Sequence, residues 1–393
     1  MRPQKFSSSR RSRSVSRGKS PLILPSRRRF LQYSLAAFSG VALANCQRST
    51  SNTSANPSAS SNSGANPAAN GEPLYIYTWA DYLSEEVNQR FTEATGIEVV
   101  ADVYDSNEVM LAKLQAGGGN QYSIIYPSDY MVRQMIELNL LTSIDKSRLT
   151  GLENLVERWQ NPTYDADNAH SIPVSWGTTG FIYNNKVINP GPEDWDFLWE
   201  NKDSLSRKIT LLDDVREVMG AALKSLGYSY NSTNEQELKA AYEKLRELKP
   251  SVASFESFGW EDRLISGDLN LCMSYSILGN ALTPENPQLT YVIPSSGTSV
   301  WTDTLAIPKT APNVDAAYAW MNFLLEPENS AFAVSKLRFA TPNKLAFEQL
   351  PSELKENEKL FPPETMLAKC EGIKSVGDTI KIYDGLWTQL RSV

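Results

Sequence analysis

Histidine is almost absent: His170 is the one imidazole in 393 residues. A multi-His metal site has no second ligand, and a Ser-His-Asp triad or a His general base has a single residue to draw on. Cysteine is nearly as scarce. Cys46, Cys272 and Cys370 have no metal-ligand spacing, and a Cys272–Cys370 pair and two reduced thiols are both compatible with the sequence. Long apolar runs are missing too, since Tyr33–Ala44 is too short to span a bilayer as a stable helix. The first 45 residues lack acid altogether and carry 10 Lys+Arg, which leaves 28 basic against 45 acidic residues in the rest, a net charge of −17. That balance argues against nucleic acid and anionic lipid as ligands and favours the approach of cations, although solubility alone accounts for acidity equally well.

What is present at the N-terminus belongs to sorting. Ser26-Arg27-Arg28-Arg29-Phe30-Leu31 followed by apolar Tyr33–Ala44 looks like a twin-arginine export signal. Leu43-Ala44-Asn45-Cys46 resembles a lipoprotein cleavage site, in which the cysteine becomes lipid-anchored, with Asn45 in place of the usual Gly, Ala or Ser. Residues 1–45 are thus expected to be a signal peptide. From Ser49 to Gly71 the chain is uncharged and made of Ser, Asn, Thr, Ala, Pro and Gly. Such a composition cannot bury enough apolar surface to offset its ordering entropy, so residues 46–72 are expected to be a disordered tether. The expectation is a periplasmic protein whose membrane attachment is a lipid on Cys46.

Folded sequence begins with Leu74–Thr78, a strand by its Tyr/Ile content, followed by a helix capped by Ser84 and stopped by Gly96. Ile97–Val103 predicts the next strand, Ser106 caps a second helix, and Ser123–Tyr126 is a third strand before Pro127-Ser128-Asp129-Tyr130 opens another helix. Gly117-Gly118-Gly119 follows a helix instead of joining a strand to one, which makes it a connector and not a phosphate loop. A second series has strands at Phe181–Asn184, Ile209–Leu212 and Leu269–Met273, with a helix opened by Asp213-Asp214-Val215-Arg216-Glu217 and running to about Leu226 and another at Lys239–Leu248. A helix over Val314–Leu325 and a C-terminal helix with Ile382, Leu386 and Leu390 on one side complete the chain. Alternating β and α elements of this length predict parallel sheets flanked by helices, and the length and 41% hydrophobic content allow two lobes.

In such sheets ligands bind beyond the carboxyl ends of strands. Trp79 and Tyr82 follow the first strand, Ser128 and Tyr130 the third, Asp214 and Glu217 follow Ile209–Leu212, and Tyr275 follows Leu269–Met273. In the stretch Val300–Pro308, read as a strand, Trp301 and Asp303 share a face. A ring face beside a fixed carboxylate suits a desolvated organic ammonium; an edge strand with a core Trp and a solvated Asp suits the same residues. Asp214-Val215-Arg216-Glu217 is equally open between a capping box and a ligand site, and the helix dipole is expected to keep both carboxylates ionised.

Tyr77-Thr78-Trp79-Ala80-Asp81-Tyr82, Ser106-Asn107-Glu108, Pro127-Ser128-Asp129-Tyr130, Ile144-Asp145-Lys146-Ser147, Trp176-Gly177, Asp213 to Glu217, Trp301-x-Asp303-x-Leu305-Ala306-Ile307-Pro308 and Thr341-Pro342-Asn343 together resemble the bacterial periplasmic spermidine/putrescine-binding proteins, in order and over nearly all the folded chain. The resemblance implies an α/β, two-lobed type II periplasmic binding protein fold in which each lobe is a mostly parallel sheet flanked by helices, with hinge crossovers near Thr179 and near Trp301. One lobe would hold residues 73–180 plus 303–347 and the other 181–302 plus 348–393. Carried over position by position, it makes Trp79, Tyr82, Tyr130 and Trp301 aromatic walls and Asp214, Glu217 and Asp303 ammonium partners, with Ser128 and Ser257 as smaller polar contacts. Ala80 stands where Thr is usual, Tyr275 where Trp is, Phe339 where Tyr is and Ile373 where Gln is. Each exchange except Tyr275 removes a hydrogen-bonding group.

The function implied is capture of a polyamine by lobe closure and its delivery to the permease and ATPase subunits of an ABC importer, by a monomer with no cofactor, no metal and no catalysis. Two rivals exist. A ferric-ion receptor of the same fold needs clustered Tyr and other hard oxygen ligands, which the scattered Tyr residues fit poorly. A secreted hydrolase using Asp214 and Asp303 as acid and base would turn over a sugar polymer.

Overall fold

The computed structural model describes residues 71–392. The export signal, Cys46 and all but the last two residues of the expected tether lie outside them. The first βα series folds as its signals require. β1 (Leu74–Trp79) leads to a helix, α1 (Glu85–Thr95), whose N-terminus is capped by Ser84 accepting from the Val87 N–H and whose end turns left-handed at Gly96, φ 74°. β2 (Val99–Tyr104) and α2 (Asn107–Gln115) follow, the latter capped by Ser106, and then β3 (Ile124–Ile125) and α3 (Asp129–Glu137). Gly117 takes φ 93° at the end of α2, and Gly118–Gln121 is a short turn back to the sheet, so the glycine run is a connector. β1 pairs in parallel with both β2 and β3.

The second half is built around a long strand of which sequence patterning finds only the last four residues. β4 (Ser171–Asn184) runs for 14 residues, all buried. Burial on both faces removes the alternation that marks a half-exposed strand, and its Ser, Thr and Gly content and Pro173 lower its strand propensity. Pro173 is accommodated at an irregularity in the register between Pro173 and Ser175.

From Ser171 to Thr178, β4 pairs antiparallel with β9 (Ser299–Ala306); from Thr179 to Asn184 it pairs instead with β7 (Leu271–Tyr275) and β8 (Leu289–Val292). The strand order β2-β1-β3-β9-β4 passes into β4-β7-β5-β6, where β5 is Ile209–Leu211 and β6 is Val252–Phe255. β5 is parallel to β6 and β7, whereas the crossing strands β4 and β9 are antiparallel to each other and to β7 and β3 respectively. A third crossing segment, β10 (Glu371–Gly372), lies parallel to the start of β9.

Two main apolar cores flank this crossing, one under β1–β3 and the helices Val314–Leu325 and Pro327–Leu337, the other under β5 with α4 (Val215–Ser225) and α5 (Glu235–Leu248). The C-terminal helix Ile380–Ser392 packs on the second core by Tyr383 and Leu390, with Ile382 and Leu386 partly covered. Cys272 is buried, Cys370 is partly exposed, and both are free thiols.

Candidate ligand-binding site

The carboxyl ends of β1, β3, β5 and β7 meet the crossing strand β9 around a cleft. Of the eleven candidate ligand residues named from the sequence, nine line it: Trp79, Tyr82, Ser128, Tyr130, Asp214, Glu217, Tyr275, Trp301 and Asp303. Ser257 is not among them, because its hydroxyl turns away to accept from the Asp213 N–H at 3.2 Å. Phe339 sits one layer back, buried, with its ring stacked on Tyr82 at 5.6 Å.

Trp301 is held in place by a glycine. A Cβ on Gly177 would stand 2.3 Å from the indole Cζ2, so only glycine at that point of β4 lets the ring lie flat against the strand. Tyr275 meets Trp301 edge to face at 6.1 Å and directs its hydroxyl to Asp214 Oδ2 at 3.4 Å. Trp79 donates its indole N–H to the Tyr126 carbonyl at 3.0 Å and packs edge-on against Tyr104. Trp301 and Asp303 are both buried, which removes the solvated-edge alternative for this strand.

Asp303 accepts from the Ser128 hydroxyl at 2.7 Å and the Tyr82 hydroxyl at 2.8 Å. Tyr82 also makes a short contact with Ser175. Ser128 occupies the N-cap position of α3, yet its side chain makes no cap bond; the hydroxyl is diverted to the carboxylate. Burial pushes the Asp303 carboxyl up to about 6 against the pull of these two donors.

At the other side of the cleft, Asp214 caps α4 by accepting from the Arg216 and Glu217 N–H groups at 2.9 and 3.1 Å. Glu217 does not close a reciprocal box. It turns inward and accepts from Thr179 at 3.0 Å, from Ser299 at 2.9 and 2.8 Å and from Tyr230 at 3.3 Å. Burial first, and then the charge of Asp214, push Glu217 up to about 8, and burial also raises Asp214. The expectation that the helix dipole keeps both ionised is therefore corrected at Glu217: desolvation of a buried carboxylate outweighs a dipole worth roughly 0.3–1 kcal/mol.

Sequence reasoning missed Asp81, Asn107, Asp129, Phe258 and Ile277, which also line the cleft with Ile373. Asp81, Asp129 and Phe258 each adjoin a named candidate; Ile277 carries no signal. Burial raises Asp81 and Asp129 well above the usual carboxylate range. Glu108, whose carboxylate accepts from Tyr130 at 3.0 Å, is exposed over much of its side chain, yet enclosure of its carboxyl and the Asp214 charge push it up to about 7. Among the described residues lining the cleft, five are carboxylates and none is Lys or Arg. An enclosure of this kind lacks a counter-cation, and its aromatic faces suit an organic one.

Known proteins resemble this chain in sequence and fold. The family described as bacterial extracellular solute-binding protein matches residues 86–362. The spermidine/putrescine-binding periplasmic protein of Salmonella typhimurium is 35% identical over 325 residues, 82% of this chain and 93% of that one. The putrescine-binding periplasmic protein PotF of Escherichia coli is 30% identical over 345 residues, 82% of this chain and 92% of that one. Among solved structures, the spermidine/putrescine ABC transporter substrate-binding protein PotD of Streptococcus pneumoniae superposes with a TM-score of 0.70 at 36% identity, covering 82% of this chain and 99% of that one. The Tp0655 (TpPotD) lipoprotein of Treponema pallidum does so at 0.73 and 30% identity, covering 82% of this chain and 100% of that one. By its sequence the chain belongs to the bacterial extracellular solute-binding protein family, and it shares the two-lobed fold of its spermidine/putrescine-binding members.

Proposed function

We propose that this chain is an extracytoplasmic receptor that captures a polyamine of the spermidine/putrescine class between its lobes and delivers it to the permease and ATPase subunits of an ABC importer. The observation that carries this is the lining of the cleft: five carboxylates and the rings of Trp79, Tyr82, Tyr130, Tyr275 and Trp301 with no basic side chain. An ammonium entering it gains a counter-charge and ring faces at once, and the raised carboxyls lose their protons to solvent as it binds. Asp303, Asp214 and Glu217 are the ammonium partners in this proposal, with Trp301, Tyr275, Trp79 and Tyr130 enclosing the methylene chain between them.

Transport of an unchanged ligand, not turnover, is the role assigned. The lobes are residues 73–180 plus 303–347 and 181–302 plus 348–393, and the molecule works as a monomer. Export by the twin-arginine segment and lipidation of Cys46 would place it in the periplasm on a tether, within a few tens of Å of the membrane.

Calorimetric titration of the purified chain with putrescine, spermidine, spermine, amino acids and Fe(III) tests the proposal. The expected result is stoichiometric binding of at least one polyamine at micromolar Kd or tighter, about −8 kcal/mol. Heat with an amino acid or Fe(III) and none with any polyamine would overturn it.

A further inference from the structure

Asp129 lines the cleft and is only 7% exposed. Its Oδ1 accepts from the Tyr130 N–H at 2.7 Å in the first turn of α3, whereas its Oδ2 has no donor among the described residues. Arg216 is buried close enough to pull on its charge, but that guanidinium donates to the Lys374 carbonyl at 2.9 Å and to Asn231 Oδ1 at 3.0 Å. The place of Asp129 can be read along β9. Ser299 holds Glu217 at the start of the strand, Val300 stands opposite Gly372 of β10, and Asp303 bridges to Ser128 further along. A Cβ on Gly372 would stand 4.0 Å from Asp129 Oδ2. Asp129 thus lies between Glu217 and Asp303, and the charges of both add to burial in raising its carboxyl. A buried carboxylate oxygen without a donor, at the wall of a cleft, lacks a partner that an occupant can bring.

We propose that Asp129 is a further ligand-binding residue, the partner of an interior secondary ammonium, and that it makes the cleft select amines with a nitrogen inside the chain. The end ammoniums fall to Asp214 and Glu217 on one side and to Asp303 on the other. A carboxylate between them stays without a counter-charge when the chain joining the two ends is all methylene, and its desolvation is then uncompensated. A secondary ammonium at the same place supplies the counter-charge through a charge-assisted hydrogen bond, roughly twice as strong as a neutral one. This inference rests on the polyamine-receptor reading of the same cleft and adds to it a residue and a selectivity.

Calorimetric titration of the purified parent and of Asp129→Asn tests it, with spermidine and with octamethylenediamine, in which a methylene replaces the interior nitrogen. The amide oxygen of Asn can still accept from the Tyr130 N–H, so the change removes the charge and keeps the turn. The parent is expected to bind spermidine more tightly than octamethylenediamine. Asp129→Asn should weaken spermidine by about ten-fold or more and leave octamethylenediamine within about three-fold of the parent. Equal losses for the two amines would make Asp129 a diffuse charge and overturn the inference, as would a variant with the parent's affinity for spermidine. Should Asp129→Asn not fold, Asp129→Ser, whose hydroxyl can also accept from a first-turn N–H, carries the same pair of titrations. A parent that binds no polyamine sinks the receptor reading and the inference with it, whereas a parent that binds spermidine and octamethylenediamine alike overturns the inference alone.

Discussion

Asp303 and Glu217 are buried carboxylates of one cleft, and the cleft treats them differently. Asp303 has two hydroxyls, Ser128 and Tyr82, as its nearest partners and rises only to about 6. Glu217 has three hydroxyl partners and still rises to about 8, because the Asp214 carboxylate adds its charge to the cost of burial. Neutral donors offset desolvation in part; a like charge one helical turn away undoes their effect. The empty cleft thus raises Glu217 further than Asp303.

Removing the charge on the first side should cost most. Asp303→Asn leaves an ammonium enclosed without its counter-charge and is expected to weaken polyamine binding by about 3–5 kcal/mol, read by calorimetry. Affinity near that of the parent would remove Asp303 from the centre of the site.

The next effect is pH. Glu217 and Asp303 have folded pKa values above those of the unfolded chain, so the native empty protein binds more protons than the unfolded one across the windows from 4.5 to about 8 and from 3.8 to about 6. Their contribution to apo stability is fully present below the unfolded values and is lost as pH rises through the folded ones. The melting temperature of the unliganded chain should therefore fall between about pH 5 and 8, while polyamine affinity rises over the same range by up to about ten-fold per pH unit and titrating group. Isothermal titrations in buffers of different ionisation heat should show proton release on binding, and proton uptake would contradict the assignment.

Trp301→Leu keeps apolar bulk and loses the ring face, at about 0.5–2 kcal/mol of affinity. Smallest of all is Ser257→Ala. Its hydroxyl serves the Asp213 N–H and not the cleft, so affinity should stay within about two-fold while the melting temperature drops by a few degrees, in keeping with one lost hydrogen bond of about 1 kcal/mol. A large affinity loss there would return Ser257 to the ligand.

Much of this molecule is legible one residue at a time. Ser84, Ser106, Gly96 and the helix Val314–Leu325 announce themselves because caps, stops and apolar periodicity are local properties, felt within a turn of the residue that carries them. The strand-end positions of Trp79, Ser128, Asp214 and Tyr275 follow from the same local pattern plus one topological rule, and the resemblance supplied Trp301 and Asp303 with their roles. β4 was legible only at its last four residues, since a strand buried on both faces across two lobes has no alternation to read.

The chemistry chosen for each candidate belongs to tertiary structure. Sequence alone determined that the Asp214 turn and several aromatics would gather at the carboxyl ends of strands in an α/β sheet, with Trp301 and Asp303 on one face of their own strand. Only the fold decided that Ser128 abandons its cap for a carboxylate 175 positions away, that Phe339 stands behind Tyr82, and that Glu217 faces the Thr179 and Ser299 hydroxyls. The physical reason is range. Propensity and capping act over three or four residues, whereas desolvation and charge act through space on whatever the crossing of β4 and β9 brings together.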